Sequence, residues 1–169
     1  WRAWSEVISL GLDFIRERPH NCGVCSRFRF MNVTVVIPTY NESRNLRQMA
    51  EALWALPLTL DILVVDDGST DDTATVLAGF GDRIHWERIE NRGVNHARNR
   101  LLQMARGEWM QYLDADDYLR PKKIATQLSE AGPLDRCDVI YSPIIEEYWR
   151  DGRVSGTRAA PIDPALDLY

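Results

Sequence analysis

Carboxylates gather at three points along this chain, each behind a short apolar run. The densest is Asp66-Asp67-Gly68-Ser69-Thr70-Asp71-Asp72, which follows Ile62-Leu63-Val64-Val65. Four carboxylates this close repel one another, so some must face a partner or water. Asp71 and Asp72 fall where the first turn of a following helix is expected, and the helix dipole favours negative charge there. Asp66 and Asp67 sit at a strand tip, where a carboxylate can accept hydrogen bonds from base N–H or ribose hydroxyl groups. The second cluster is Asp114-Ala115-Asp116-Asp117. Alternating acids at a strand end suit a hard divalent cation whose oxygen ligands come from protein, water and phosphate. The third point is Pro38-Thr39-Tyr40-Asn41-Glu42-Ser43, directly after Val33–Ile37. Proline is expected to stop that strand, and Asn41 or Ser43 to cap a helix whose N-terminus is a ready anion site. One basic stretch lies between these acids, Asn91-Arg92-Gly93-Val94-Asn95-His96-Ala97-Arg98-Asn99-Arg100. A helix starting near Val94 aims Arg92 or Arg98 at a diphosphate, which Arg grips through bidentate hydrogen bonds. His96 reads as a surface residue or one supporting its neighbours, not as a catalyst.

The elements that must position these loops alternate between strand and helix. Strands are expected over 33–37, 61–65, 84–88, 109–113 and 138–141, and helices over 43–55, 71–79, 94–105 and 121–131. Continuous apolar runs in such an alternation imply a mostly parallel sheet covered on both faces, an α/β fold. Gly107 is placed as a helix C-cap and Pro121 as a first-turn proline. In open sheets of this kind ligands bind at the carboxyl ends of the strands, where the strand order reverses. All three acid-bearing loops belong to that edge.

Several competing chemistries fail on particular residues. A calcium-binding EF-hand starting at Asp114 needs an acid or Asn at 118 and Glu at 125, where Tyr118 and Ala125 stand. A DxDGT phosphatase needs an acid where Val65 stands. A response-regulator receiver places its two-acid strand first and needs a Lys on a late strand, which is absent. A nucleotidyltransferase needs a basic, Gly-rich phosphate loop near the first strand, and Pro38–Ser43 contains no Gly.

Together, Val35–Ser43, Val64–Asp71, Asn91-Arg92-Gly93 with Ala97-Arg98-Asn99, and Gly107-Glu108-Trp109 leading through Tyr112 to Asp117 resemble the family-two inverting glycosyltransferases of the GT-A fold. The likeness covers roughly Asn32 to Tyr141 and rests on four motifs in order. It implies a three-layer Rossmann-like nucleotide-diphospho-sugar transferase fold. It implies further that Pro38, Thr39, Tyr40 and Glu42, with Asp66 and Asp67, cradle the base and ribose of a sugar-nucleotide donor, a UDP-sugar being favoured. Asp114 would contact ribose or sugar, Arg98 the nucleotide, and Asp116 would coordinate Mg²⁺ or Mn²⁺. Expulsion of a nucleoside diphosphate builds negative charge that a metal ion and Arg donors must offset. The acceptor hydroxyl needs a general base, usually a carboxylate. In the family that base lies well downstream of the paired aspartates, and no residue here matches it. Glu146 and Glu147, beside a further strand over 144–149, read as surface carboxylates.

The termini and composition set the remaining expectations. Met31 directly precedes the first strong strand, so residues 1–30 are read as an N-terminal extension. Trp4, Ile8, Leu12 and Ile15 recur at helical spacing in it, and Arg16, Arg18, Arg27 and Arg29 make it basic, as in a peripheral helix or tail. The nucleotide-sugar domain is read as 31–155. Residues 156–169 are read as the start of an acceptor-side region that the chain cuts short, leaving the fold incomplete at its C-terminus. A net charge of -5 and only 20 Lys and Arg against 25 acids argue against a nucleic-acid surface. No apolar run approaches the ~20 residues of a membrane span, and Val7–Ile15, broken by Asp13, makes a poor signal peptide. Three cysteines form no disulfide framework, which suits a cytoplasmic location, with membrane association left to an acceptor or to further regions. Cys22 and Cys25 lack the partners of a zinc site, and Cys137 reads as a small buried residue. The leading expectation is the donor-binding part of a metal-dependent inverting glycosyltransferase. The rival is a non-catalytic nucleotide-binding fragment or pseudoenzyme without the general base.

Overall fold

A computed structural model describes residues 14–16, 33–130, 138–140, 142–151 and 153–160. Its strands are β1 (Phe14–Arg16), β2 (Val33–Thr39), β3 (Leu60–Asp66), β4 (His85–Arg88), β5 (Trp109–Tyr112), β6 (Val139–Ile140), β7 (Ile144–Arg150) and β8 (Arg153–Ala160). The helices are α1 (Leu46–Trp54), α2 (Thr73–Ala78), α3 (Val94–Met104) and α4 (Lys123–Glu130). One sheet runs in the order β4-β3-β2-β5-β1-β6 and a second is the hairpin β7-β8. Strands β4, β3, β2 and β5 are mutually parallel, whereas β1 pairs antiparallel with both β5 and β6.

Side-chain parity along the strands separates two apolar layers. Val35, Ile37, Ile62 and Val64 pack with Leu46, Met49, Ala50 and Leu53 of α1 and with Val76 and Leu77 of α2. The intervening Val36, Leu63 and Val65, with Met110, meet Ala97 and Leu101 of α3 on the other face. The outer helix α4 adds Ile124 against Val33 and Trp109. Burial on both faces explains why these strands read as unbroken Val, Ile and Leu rather than as alternating sequence. The α/β fold and its parallel central sheet are thus as the sequence implies.

The chain passes from β2 outward to β3 and β4, then crosses to the other side of β2 as β5. The strand order therefore reverses between β2 and β5, and the crevice for a ligand opens at their carboxyl ends. Loops 38–43 and 113–117 flank that reversal, and loop 66–72 lies beside it.

Several local expectations need correction. Strand β2 continues through Pro38 to Thr39, in register with Val65 and Asp66. The Val36 carbonyl accepts from Leu113 N and the Thr39 carbonyl from Asp67 N. Backbone groups alternate in direction, so Pro38 turns toward β5 beyond the last pair, Val36 with Tyr112, and its missing N–H costs no ladder bond. Helix α3 ends at Met104 with Ala105 as its C-cap, so Gly107 is not the cap. Its N–H instead donates to Thr34 Oγ1 at 3.1 Å. Pro121 lies two residues ahead of α4, in the turn closed by Lys123 N to the Arg120 carbonyl. The helical spacing read through Ile15 gives way at Phe14–Arg16 to β1, held by strand partners on both sides. The rest of 1–30, with Cys22 and Cys25, lies outside the described residues, as does Cys137. The boundary expected between 155 and 156 falls inside β8, which pairs with β7 from Ile144–Ala160 to Arg150–Arg153. Among the described residues no helix is long and apolar enough to cross a membrane.

Candidate functional site

Two loops beyond β2 and β3 are tied together by side chains rather than capped separately. Asn41 adopts φ 58°, a left-handed conformation that Asn tolerates better than most residues. Its Oδ1 accepts from Thr70 N at 2.8 Å, from Thr70 Oγ1 at 3.3 Å and from Asp71 N at 3.3 Å. Its own N–H donates to Ser69 Oγ at 2.8 Å. Glu42 N donates to Thr73 Oγ1 at 2.9 Å, and Ser43 Oγ donates to Asp71 Oδ2 at 2.7 Å. Neither Asn41 nor Ser43 caps α1, whose N-cap is Asn45 without a side-chain bond. Asp71 and Asp72 precede the first turn of α2, and Asp71 Oδ1 accepts from Thr73 N at 3.0 Å.

The adjacent aspartates of β3 and its loop have different surroundings. Asp66 is 0% exposed; its Oδ1 accepts from the Ser69 N–H at 2.8 Å and from the Ser69 hydroxyl. Arg88 Nε stands 3.6 Å from Asp66 Oδ2, and Arg88 also donates to the Ser69 carbonyl at 2.5 Å. Asp66 is therefore fully buried and organises the turn through Ser69. Asp67 is 4% exposed and accepts from two backbone amides, Arg92 N at 3.0 Å and Gly93 N at 2.8 Å. It so fixes the segment that starts α3. Thr39 is 3% exposed and its Oγ1 has no hydrogen-bond partner, an open polar group at the strand end. Tyr40 beside it is 46% exposed.

The third loop brings the opposite charges together. Arg98 Nη2 lies 3.1 Å from Asp114 Oδ1, both side chains partly buried. Arg92 points elsewhere: its guanidinium pairs with Glu90 at 2.8 Å on the surface. Burial raises the Asp116 carboxyl above its ordinary value; a backbone hydrogen bond opposes this, and the Asp114 charge adds to it. Glu42 is raised as well, first by burial and then, against its hydrogen bond from Asn45, by the charges of Asp116 and Asp71. His96 is exposed at the start of α3.

A cation suits this surplus of negative charge, and the donor set is all oxygen. Among the described residues no group of three or more His, Cys, Asp or Glu could hold a metal alone. That composition fits a hard ion held by one or two carboxylates and completed by ligand phosphate and water.

Glu146 and Glu147 are not the free surface carboxylates expected. Their side chains are 17% and 13% exposed, Glu146 facing Arg158 at 3.9 Å and Glu147 facing Arg120 at 3.5 Å. Burial of the Tyr118 hydroxyl and its hydrogen bond to Glu147 push that group to about 12. In the β7–β8 register Glu146 stands opposite Arg158 and Glu147 opposite Thr157. Sequence reasoning passed over Thr73 and Arg88, which have no motif-like spacing, and gave Ser69 no role of its own within the Asp66–Asp72 run. The one readable signal was Asn41, a residue tolerant of positive φ between a strand end and a helix.

The glycosyl transferase family 2 profile matches residues 34–158. This chain belongs to that family. An uncharacterized glycosyltransferase of Rickettsia typhi is 35% identical over 109 residues, covering 64% of this chain and 34% of the relative. The succinoglycan biosynthesis protein ExoO of Rhizobium meliloti is 35% identical over 118 residues, with the same 64% and 34% coverage. The chain thus spans about a third of the length of these curated relatives. Among solved structures, a mannosyltransferase from Pyrobaculum calidifontis in complex with GDP-Man and Mn²⁺ superposes with a TM-score of 0.54 at 27% identity. That match covers 62% of this chain and 33% of the other. Staphylococcus aureus TarS superposes with a TM-score of 0.53 at 27% identity, over 59% of this chain and 20% of that one. Both neighbours share the GT-A arrangement of the parallel sheet.

Proposed function

We propose that this chain carries the donor-binding part of a glycosyltransferase that moves a sugar from a nucleotide-diphospho-sugar to an acceptor hydroxyl, with inversion and with Mg²⁺ or Mn²⁺. The observation that carries this reading is the Arg98–Asp114 contact at 3.1 Å, in the same loop as the half-buried Asp116, beside the point where strand order reverses. Thr39, Tyr40 and Asp67 line the base and ribose end, Pro38 holding the strand straight to Thr39. Asp66 supports them through the turn it organises. Asp114 is oriented by Arg98 toward ribose or sugar, and Arg98 brings positive charge to the diphosphate side of the crevice. Asp116 holds the metal. When bound, Mg²⁺ or Mn²⁺ supplies positive charge that offsets the diphosphate leaving group. The Mn²⁺ and GDP-Man held by the Pyrobaculum enzyme support the metal and the donor class. A UDP-sugar is retained as the favoured donor from the sequence resemblance, with GDP as its competitor.

The second reading is nucleotide binding without transfer. It is favoured by the ion pairs that Glu146 and Glu147 make with Arg158 and Arg120, a structural use for the two β7 carboxylates that follow the paired aspartates in the chain.

Calorimetric titration of UDP, GDP and dTDP, each with and without Mn²⁺, tests the assignment. Metal-dependent binding of one nucleotide, lost in Asp116→Asn, is the expected result. Undiminished metal-dependent binding in that variant overturns the role of Asp116, and no binding by a folded sample overturns the donor site. Donor hydrolysis or transfer, set against binding alone, separates the two readings.

A further inference from the structure

The carboxylate of Asp66 is buried, and a continuous series of hydrogen bonds leads from it to the exposed Asn41. Asp66 Oδ1 accepts the Ser69 hydroxyl, Ser69 Oγ accepts the Asn41 N–H, and Asn41 Oδ1 accepts three donors from Thr70 and Asp71. Arg88 closes the far side by bonding the Ser69 carbonyl. Residues on either side of Asn41 are those assigned to the donor: Thr39 and Tyr40 before it, Glu42 after it. We infer that Asn41 is a positioning residue, a latch that fixes the 38–43 loop on the 66–72 loop and thereby sets nucleotide affinity without touching the nucleotide itself. This inference rests on the donor-site reading above.

Three features support a latch rather than an ordinary surface bond. The acceptor oxygen is shared by three donors, so one side chain gathers three of the bonds between the two loops, beside those made by Glu42 N and Ser43 Oγ. The backbone at Asn41 is in the left-handed region, which most side chains avoid, so the turn is shaped for this contact. The segment it restrains carries Thr39 Oγ1, a buried hydroxyl with no hydrogen-bond partner, at the end of β2. Holding such a group in place before a ligand arrives reduces the ordering cost of binding.

Two substitutions separate backbone geometry from the latch. Asn41→Gly keeps the positive φ readily accessible and removes the acceptor with the rest of the carboxamide, at the cost of added backbone freedom that Asn41→Asp does not share. Asn41→Asp restores an acceptor oxygen for the same three donors. Calorimetric titration of UDP, GDP and dTDP with Mn²⁺, alongside thermal melting, is expected to show nucleotide affinity about tenfold weaker in Asn41→Gly. The melting temperature should change little, and Asn41→Asp should recover most of the affinity. Faster amide exchange at Thr70 and Asp71 in Asn41→Gly is the accompanying signature. Affinity equal to wild type in Asn41→Gly, or a loss matched by an equally large fall in melting temperature, overturns the latch while leaving the donor site standing. Wild-type protein that binds no nucleotide overturns both.

Discussion

Asp71 holds its charge to low pH. Its burial alone would raise the pKa, but hydrogen bonds from Thr73 and Ser43, through side chains and backbone, outweigh this and lower it from 3.8 to about 2. A carboxyl more acidic folded than unfolded stabilises the fold above its unfolded pKa, and that stability is lost as pH falls through the folded value. The window is therefore pH 4 down to 2. Asp71 is exposed, so water and salt screen the effect to below about 1 kcal/mol. Urea denaturation across that window should show a flatter stability profile for Asp71→Asn than for wild type, and parallel profiles would count against this account. The neighbouring acids show what residue types alone convey. That carboxylates crowd the strand tips is plain from Asp66, Asp67, Asp71 and Asp72. Which of them faces a ligand is not, because Asp66 and Asp67 differ only in how Ser69, Arg88, Arg92 and Gly93 fold back on them.

At the scale of elements, the turn after β3 is fixed by Gly68. Its φ is 73°, and a Cβ there would lie 2.8 Å from the Asn91 backbone nitrogen. Gly68→Ala meets both a left-handed backbone and an immovable neighbour, and should cost about 1–3 kcal/mol. Chemical denaturation midpoints check this; a variant as stable as wild type would mean the 89–91 segment can yield. Strands β2 and β3 were legible because burial on both sheet faces imposes unbroken apolar runs, and helices α1 to α4 because amphipathic segments separate the strands. Strand β1 was hidden because three residues, Phe14-Ile15-Arg16, carry no period, and Ile15 also fits a helical stripe. Strand β8 was hidden because Val154 is its one large apolar residue among Arg, Ser, Gly and Thr. Its pairing comes from β7, with Gly156 opposite Tyr148.

Across the whole molecule, stability is unevenly shared. Strands β2 and β3 are buried along most of their length beneath helices on both faces, whereas the β7–β8 hairpin is a two-stranded sheet with Ile145, Tyr148 and Val154 exposed. Two-stranded sheets are marginal alone. Hydrogen exchange should be slowest in β2 and β3 and markedly faster in β7 and β8; equal protection would mean the hairpin opens only with the core. The position of β2 has a kinetic consequence as well. One neighbour, β3, follows it closely in the chain, but the other begins only at Trp109, paired with Val33. On a ribosome adding about 5–20 residues per second, the β5-facing edge of the central strand waits several seconds for its partner. Throughout that interval Val33–Val36 present an unpaired apolar edge, so the most protected strand of the finished fold is, during synthesis, the one most in need of a chaperone.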